Sequence, residues 1–145
     1  MNHRDSPPPG FVPAPLDEGF TNLIGQLYAR KGVDGIHVIA FRVSERHLNL
    51  HRSAHGGMLA ALADVAIGMN IMRGAEKVAA AATLNLSINF IGGCSSGDWV
   101  EAYAHFSKIE GRVRFGRCLI QVGDRAIAEA HATFYAMADH TRQSA

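Results

Sequence analysis

Cysteine is scarce in this sequence, and several other features that mark special classes of protein are missing. Only Cys94 and Cys118 occur, with no C-x-x-C pair, so we interpret both as reduced, partly buried thiols. No run of about 18 uncharged apolar residues exists, which argues against a membrane-spanning helix. The first ten residues, MNHRDSPPPG, contain no apolar segment typical of a signal peptide. We therefore expect a cytoplasmic protein without a membrane partner.

Neither positive nor negative charge predominates in the sequence. Lysine and arginine number 14 against 13 acidic residues, a net charge of +1, which argues against a nucleic-acid partner. The length of 145 residues fits one domain, and 48% hydrophobic residues suffice for a core. All five prolines lie within the first fifteen residues. We predict a disordered proline-rich tail over 1–15, a single domain over 16–138 and a polar tail over 139–145.

The hydrophobic pattern predicts an α+β fold. Apolar residues at steps of three and four from Leu16 to Tyr28 predict an amphipathic helix that ends before Gly32. A strand is predicted over 35–43, and the apolar run from about Gly56 to Met72 predicts a long helix. Four further strands are predicted at Thr83–Phe90, Trp99–Ile109, Val113–Val122 and Ala126–Met137. A helix that is apolar nearly all round needs a sheet curled around it, and the uncovered edges favour pairing of two copies.

Asp64 is the first candidate for chemistry, because it lies in the middle of that long apolar helix. Burying an ionised carboxylate without partners costs several kcal/mol, so the site must be paired, protonated or wet. One interpretation is a structural carboxylate bonded to a hydroxyl, arginine or histidine. The other is a base or nucleophile whose apolar surroundings favour proton uptake.

The start of the same helix is the second candidate. His55-Gly56-Gly57 precedes it, and the first N–H groups of a helix have no partner within the helix. With the helix dipole they can hold a developing oxyanion, although the glycines could simply permit a tight turn. Gly57 and Asp64 are seven residues apart, which is about 10 Å along a helix. If both are catalytic, we expect them to come from two different subunits of one site.

Two further groups of residues are open to more than one interpretation. His51 and His55 have H-x3-H spacing, but they flank a loop and no third ligand is evident, so we expect no metal site. Arg112, Arg114 and Arg117 crowd one predicted strand. They could form a solvated strand face, or they could contact the phosphates of a carrier such as coenzyme A.

The motif as a whole resembles a known family. Asn49-x5-His55-Gly56-Gly57-x6-Asp64, followed by the alternating strand from Thr83, resembles the hotdog-fold acyl-CoA thioesterases, in particular their PaaI-like (phenylacetate pathway) and THEM2-like branch. The resemblance covers about residues 16–138. It implies a long central helix wrapped by a curved antiparallel β-sheet, paired into a homodimer and often into a homotetramer. It implies acyl-CoA as substrate, aromatic or medium-chain, and no cofactor.

The resemblance also implies roles for single residues. Asp64 would be the general base or the nucleophile, and the N–H of Gly57, beside Gly56, would polarise the thioester carbonyl. Asn49 would position the water or the thioester, and His55 would support the loop. Thr83 would assist the carboxylate, although alternation puts it on the polar face of its strand, opposite Leu84, Leu86 and Ile88. The family commonly has glycine two residues before the histidine, where this chain has Ser53.

Two other functions remain open. A hydratase or dehydratase of enoyl or hydroxyacyl thioesters shares the hotdog fold, but its Asp/His arrangement is not found in this sequence. A non-catalytic acyl-CoA sensor would be expected to carry a DNA-binding helix-turn-helix and to lack the carboxylate, whereas Asp64 is present.

Overall fold

One long helix packs against a single curved sheet in this structure, a computed structural model that describes residues 6–16, 19–74 and 78–138. The helices are α1 (Phe20–Leu23) and α2 (Gly56–Met72), with a 3-10 turn at Glu45–His47. The strands are β1 (Val12–Pro13), β2 (Tyr28–Lys31), β3 (His37–Arg42), β4 (Val78–Phe90), β5 (Trp99–Lys108), β6 (Val113–Val122) and β7 (Arg125–Ala138). In the described ranges, neither helix has the length and hydropathy needed to cross a membrane.

The sheet is antiparallel throughout, with the strand order β1-β2-β3-β5-β6-β7-β4. Its inner face packs on α2, where Leu62, Ile67 and Ile71 are fully buried among strand residues. This confirms the predicted α+β architecture and the bounds of the long helix. The 13-residue strand β4 forms one outer edge, so a row of backbone groups on that side has no strand to pair with among the described residues.

A bulge in β4 decides which face its side chains occupy. Thr83 is paired with Phe134 and Asn85 with Thr133, so Leu84 is an extra residue in the ladder. The extra residue shifts the alternation by one position. Leu84 is therefore turned outward and is 59% exposed, while Leu86 and Ile88 pack against the core.

The helix predicted from Leu16 to Tyr28 is wrong for most of its length. Only four residues are helical, because Gly25 follows with a φ of 96°, a left-handed conformation that ends the helix. Beyond it, Leu27 and Ala29 are buried with the period of a strand, and Tyr28–Lys31 pairs with β3. The helical spacing of the apolar residues was thus shared between two different elements. Residues 17 and 18 lie outside the described part.

The prediction of a disordered tail over 1–15 is wrong for Phe11–Ala14. Val12 and Pro13 pair with β2 as the edge strand β1, and Phe11 is buried on the outer face of the sheet. There the Phe11 ring meets the edge of the Trp99 ring at 5.1 Å between centroids. Apolar burial therefore outweighs the proline content of this segment. Residues 1–5 and 139–145 lie outside the described part.

The two cysteines are free and buried, as predicted for reduced thiols. Burial raises the pKa of Cys118 to about 12, so its thiol stays protonated and unreactive. Burial also raises the pKa of Cys94, with a further contribution from the carboxylate of Asp98.

Candidate active site

Asp64 and Thr83 form the first half of the candidate site. The Thr83 hydroxyl donates to Asp64 Oδ1 at 2.6 Å, which links the middle of α2 to β4. The Asp64 side chain is half-buried, and within the described residues no cation pairs with it and Oδ2 accepts no hydrogen bond. One carboxylate oxygen is thus held by a hydroxyl, while the other can accept a proton from a small molecule.

The face predicted for Thr83 is wrong, and the bulge at Leu84 is the reason. Without the bulge, Thr83 would point away from the helix while Leu84, Leu86 and Ile88 pointed toward it. With the extra residue, Thr83 shares the inner face with Leu86 and Ile88. The structure thus brings Thr83 and Asp64 together by a local irregularity that an alternation pattern does not reveal.

The N-terminus of α2 forms the second half of the candidate site. His55 is the N-cap residue, and its Nδ1 accepts from the Gly57 N–H at 2.8 Å. The Gly57 N–H therefore points outward to an acceptor that lies outside the helix. Gly56 is packed so closely that a Cβ there would lie 2.9 Å from the ring of Phe90. A side chain at Gly56 would displace that ring, so the glycine allows Phe90 to pack directly against the start of α2.

Asn49 stabilises the loop before α2. Its Oδ1 accepts from the N–H groups of His51 at 2.9 Å and Ser53 at 3.2 Å, and its backbone N–H donates to the Ser53 carbonyl. Ser53, at the position where the resemblance to the hotdog thioesterases implies a glycine, donates from Oγ to the Cys94 carbonyl at 3.2 Å. Gly93 makes room for it, because a Cβ there would lie 2.8 Å from Ser53 Oγ. The serine is therefore accommodated by a second glycine and does not disturb the loop.

A pocket of about 220 Å³ opens beside the N-terminus of α2, between α1 and the first turn of α2. We call it the α1 pocket. It is lined by the apolar residues Phe20, Leu23, Ile24 and Met58, by Gly57, and by the polar residues Arg46, His47 and His55. Asp64 is absent from that lining and lies two helical turns away. Within one chain, the structure therefore brings Asp64 to Thr83 and His55 to Gly57, but it keeps the two halves apart.

A buried histidine that the sequence pattern did not mark as functional, His47, also lines this pocket. The side chain of His47 is only 7% exposed, its ring packs edge-on against Phe41, and its carbonyl accepts from the His55 N–H at 2.7 Å. Nδ1 accepts from the Ser44 N–H at 2.9 Å, so Nε2 carries the hydrogen and donates to the Ile24 carbonyl at 2.6 Å. The spacing from Ser44 to His47 is that of a capping box, and this spacing is the feature of the sequence that could have indicated an ordered histidine.

The three arginines do not form one group. Arg114 is 1% exposed on the inner face of β6, where Nε donates to the Gly111 carbonyl at 3.0 Å. Arg117 is exposed on the outer face, in a depression that His105 and His131 also line, and Arg112 is exposed in the preceding turn. The prediction of a joint phosphate contact is therefore wrong for Arg114, because alternation along a strand separates it from Arg117.

The architecture and the helix with its H-G-G terminus define the chain's class, and comparison with known proteins agrees. The sequence profile of the thioesterase superfamily matches residues 51–129, more than half of the chain. This chain therefore belongs to the thioesterase superfamily, and its hotdog-like fold is close to that of PaaI.

Three relatives illustrate the match. A Pseudomonas aeruginosa protein named as a putative esterase is 31% identical over 128 residues, covering 88% of this chain and 96% of that protein. A mutant structure of the phenylacetic acid degradation protein PaaI from Thermus thermophilus is 28% identical, with a TM-score of 0.70 over 81% of this chain and 98% of that one. A hypothetical thioesterase from Streptococcus pneumoniae TIGR4, crystallised with coenzyme A, shares the fold at 22% identity, with a TM-score of 0.69 over 78% and 90%.

Proposed function

We propose that this protein hydrolyses acyl-CoA thioesters to a free acid and CoA. The observation that carries the proposal is the Asp64 carboxylate, which is held at Oδ1 by the Thr83 hydroxyl and accepts no hydrogen bond at Oδ2 from the described residues. A structural carboxylate in an apolar helix gains most from a full set of partners. A carboxylate with one oxygen left for a water molecule suits a general base or a nucleophile. The superfamily membership and the relative crystallised with coenzyme A support the choice of substrate.

The reaction would proceed at the helix N-terminus. The thioester carbonyl oxygen would take the place of His55 Nδ1 as acceptor for the Gly57 N–H, where the helix dipole favours negative charge. In the general-base route, Asp64 takes a proton from a water molecule while the oxygen of that water attacks the carbonyl carbon. The tetrahedral oxyanion then collapses and expels the CoA thiolate. One such backbone donor is worth about 10²–10³ in rate.

One thioester cannot reach Gly57 and Asp64 of the same chain, since they lie about 10 Å apart along α2. We propose a homodimer in which Gly57 and Asn49 of one subunit face Asp64 of the other. The outer edge of β4 supports this arrangement, because no described strand pairs with its backbone groups and it carries the exposed apolar residues Leu84 and Phe90. Two such edges could pair into one continuous sheet, and a homotetramer would add a second dimer.

The proposal is tested by hydrolysis of acetyl-, hexanoyl-, phenylacetyl- and crotonyl-CoA, with free thiol as the readout. Wild-type protein should release thiol, and Asp64→Asn should release it about 10²–10⁴ times more slowly. Asparagine keeps an oxygen for the Thr83 hydroxyl, so the fold should survive the change. Asp124→Asn, in the exposed turn between β6 and β7, is the matched control and should retain full activity.

Two results would contradict the proposal. Full turnover by Asp64→Asn would remove the carboxylate from the mechanism. Loss of the conjugated double bond of crotonyl-CoA without thiol release would indicate a hydratase instead.

A further inference from the structure

The α1 pocket has an apolar wall that the reaction itself does not require. Phe20 and Leu23 of α1 are 63% and 74% exposed, yet both side chains line this pocket together with Met58 of α2. Exposed apolar side chains scattered singly need no explanation, but Phe20 and Leu23 line one cavity from the α1 side, and Met58 lines it from the α2 side. The wall is therefore built for an apolar group that is not part of the described chain.

The position of the wall limits what that group can be. Gly57 lines the same pocket, and under the proposed function its N–H holds the thioester carbonyl. Whatever enters the pocket is then bonded to the carbonyl carbon, either the acyl chain or the sulfur with its pantetheine arm. Of the polar residues in the lining, Arg46 is exposed to solvent, and His47 has both ring nitrogens engaged by Ser44 and Ile24. The two amides of the pantetheine arm would therefore lose hydrogen bonds against the apolar wall of this pocket. An acyl chain loses none and gains by burial.

His47 fixes the position of this wall. Helix α1 has four residues and none of them is buried, so packing alone holds it weakly. Nε2 of His47 donates to the carbonyl of Ile24, the residue that caps α1, at 2.6 Å. The carbonyl of His47 accepts from the N–H of His55, which in turn caps α2. His47 thus connects the two elements, with its ring holding the end of α1 and its backbone carbonyl holding the N-cap residue of α2.

From these contacts we infer that α1 is the acyl-specificity element of this enzyme, with Phe20 and Leu23 contacting the acyl chain and His47 acting as their positioning residue. This rests on the proposed function, which places the carbonyl at Gly57. A pocket of about 220 Å³ is smaller than the roughly 300–1,000 Å³ that holds a drug-sized ligand. It therefore receives one part of the substrate, an aliphatic or aromatic acyl group of modest size.

The test compares substrates that differ only in the acyl group. Leu23→Ser should lower kcat/KM about tenfold for hexanoyl- and phenylacetyl-CoA and change it less than twofold for acetyl-CoA. Phe20→Ser should behave in the same way. Val33→Ser, a fully exposed residue in the turn between β2 and β3, is the matched control and should change neither. An equal loss of kcat/KM on all three substrates would place pantetheine in the pocket and overturn the inference. No loss on any substrate would also overturn it.

A binding measurement separates this inference from the proposed function. S-hexyl-CoA and S-methyl-CoA are thioethers that cannot be hydrolysed. The wild-type protein should bind the hexyl compound more tightly, and Leu23→Ser should remove that difference. Tighter binding of S-hexyl-CoA without hydrolysis of any thioester would support binding of the alkyl chain in the α1 pocket and contradict the proposed function. Hydrolysis of thioesters with equal binding of the two thioethers would support the proposed function and contradict the inference about the α1 pocket.

The positioning role of His47 needs two variants. The side-chain amide introduced by His47→Gln can still donate to the Ile24 carbonyl, whereas the shorter side chain of His47→Asn can accept from Ser44 but cannot reach Ile24. We expect His47→Asn to raise KM for hexanoyl-CoA several-fold with little change for acetyl-CoA, and His47→Gln to restore it. Equal effects of both variants on both substrates would mean a structural role only. Failure of His47→Asn to fold in a thermal melt would contradict a positioning role, while the Phe20 and Leu23 variants still test the contact with the acyl chain.

Discussion

Thr83 and Asp64 are 19 residues apart in sequence and share a hydrogen bond of 2.6 Å. The bond exists because Leu84 bulges out of β4 and turns Thr83 toward α2. It fixes one oxygen of the carboxylate and leaves the other free of hydrogen bonds from the described residues. The contact thus links the candidate catalytic carboxylate to β4, the edge strand through which we propose that two subunits pair.

Thr83→Val should reduce kcat while leaving the fold intact, because valine has the same shape but no hydroxyl. Loss of one hydrogen bond to a charged group corresponds to about 1.5–3 kcal/mol, or roughly a ten- to hundredfold lower rate. Thr83→Ser keeps the hydroxyl and should retain most of the activity. Steady-state hydrolysis of hexanoyl-CoA provides the measurement. Equal activity of the valine and serine variants would show that the hydroxyl has no part in turnover.

Mixing two inactive variants should restore activity if the site is shared between subunits. Asn49→Ala disrupts one half of the site and Asp64→Asn the other. A heterodimer of the two has one intact site, so random exchange should restore about one quarter of the wild-type rate. Native mass spectrometry reports the exchange. Demonstrated heterodimers without activity would mean that Asn49 and Asp64 of the same chain act together.

Gly116→Ala should destabilise the protein. Gly116 lies on the inner face of β6, and a Cβ there would come within 2.9 Å of Ile67 Cγ2 on α2. Such overpacking costs about 1–3 kcal/mol in the free energy of unfolding. Gly74→Ala is the matched control, since its Cβ would meet only ordinary contacts of 3.4 Å or more. Urea denaturation of the three proteins checks this, and a Gly116 variant as stable as the control would refute close contact between β6 and α2.

Stability should decrease in mild acid because of His37. Burial, then the positive charges of Arg73 and Lys31, lower the pKa of His37 from its ordinary value of 6.5. The unfolded chain therefore takes up this proton more readily than the folded one. The free energy of unfolding should fall as the pH drops below about 6.5 and level off once it is below the folded pKa.

His37→Gln removes this titration and should flatten the fall in stability between pH 7.5 and 5. The backbone of His37 stays bonded to Asn70 through Oδ1 and Nδ2, so the local fold should be kept. His105→Gln, on the exposed outer face, is the comparison variant. Unfolding free energies at several pH values provide the measurement. Parallel curves for the wild-type and His37→Gln proteins would exclude His37 as the source.

The long helix and the five strands β3 to β7 were predictable from the sequence because their signals are local and strong, although β4 begins five residues earlier than predicted. The apolar run from Gly56 to Met72 is long enough to exclude a strand, and Val113–Val122 lies between the turn signals Glu110-Gly111 and Gly123-Asp124. The separation of Gly57 and Asp64 also follows from helix geometry, since seven residues span about 10 Å along a helix. This separation is the basis for proposing a site shared between two subunits.

Tertiary structure alone decided the remaining features, because each depends on contacts between distant residues. The spacing from Leu16 to Tyr28 suits a helix locally, but pairing with β3 draws its second half into the sheet. The bulge at Leu84 moves Thr83 to the inner face of the sheet, and an alternating sequence pattern does not reveal an inserted residue. His47 gains its role only when Ile24 and His55 come within reach of it. The sequence by itself thus determined the helix and its motif, while long-range strand pairing determined which side chains meet that helix.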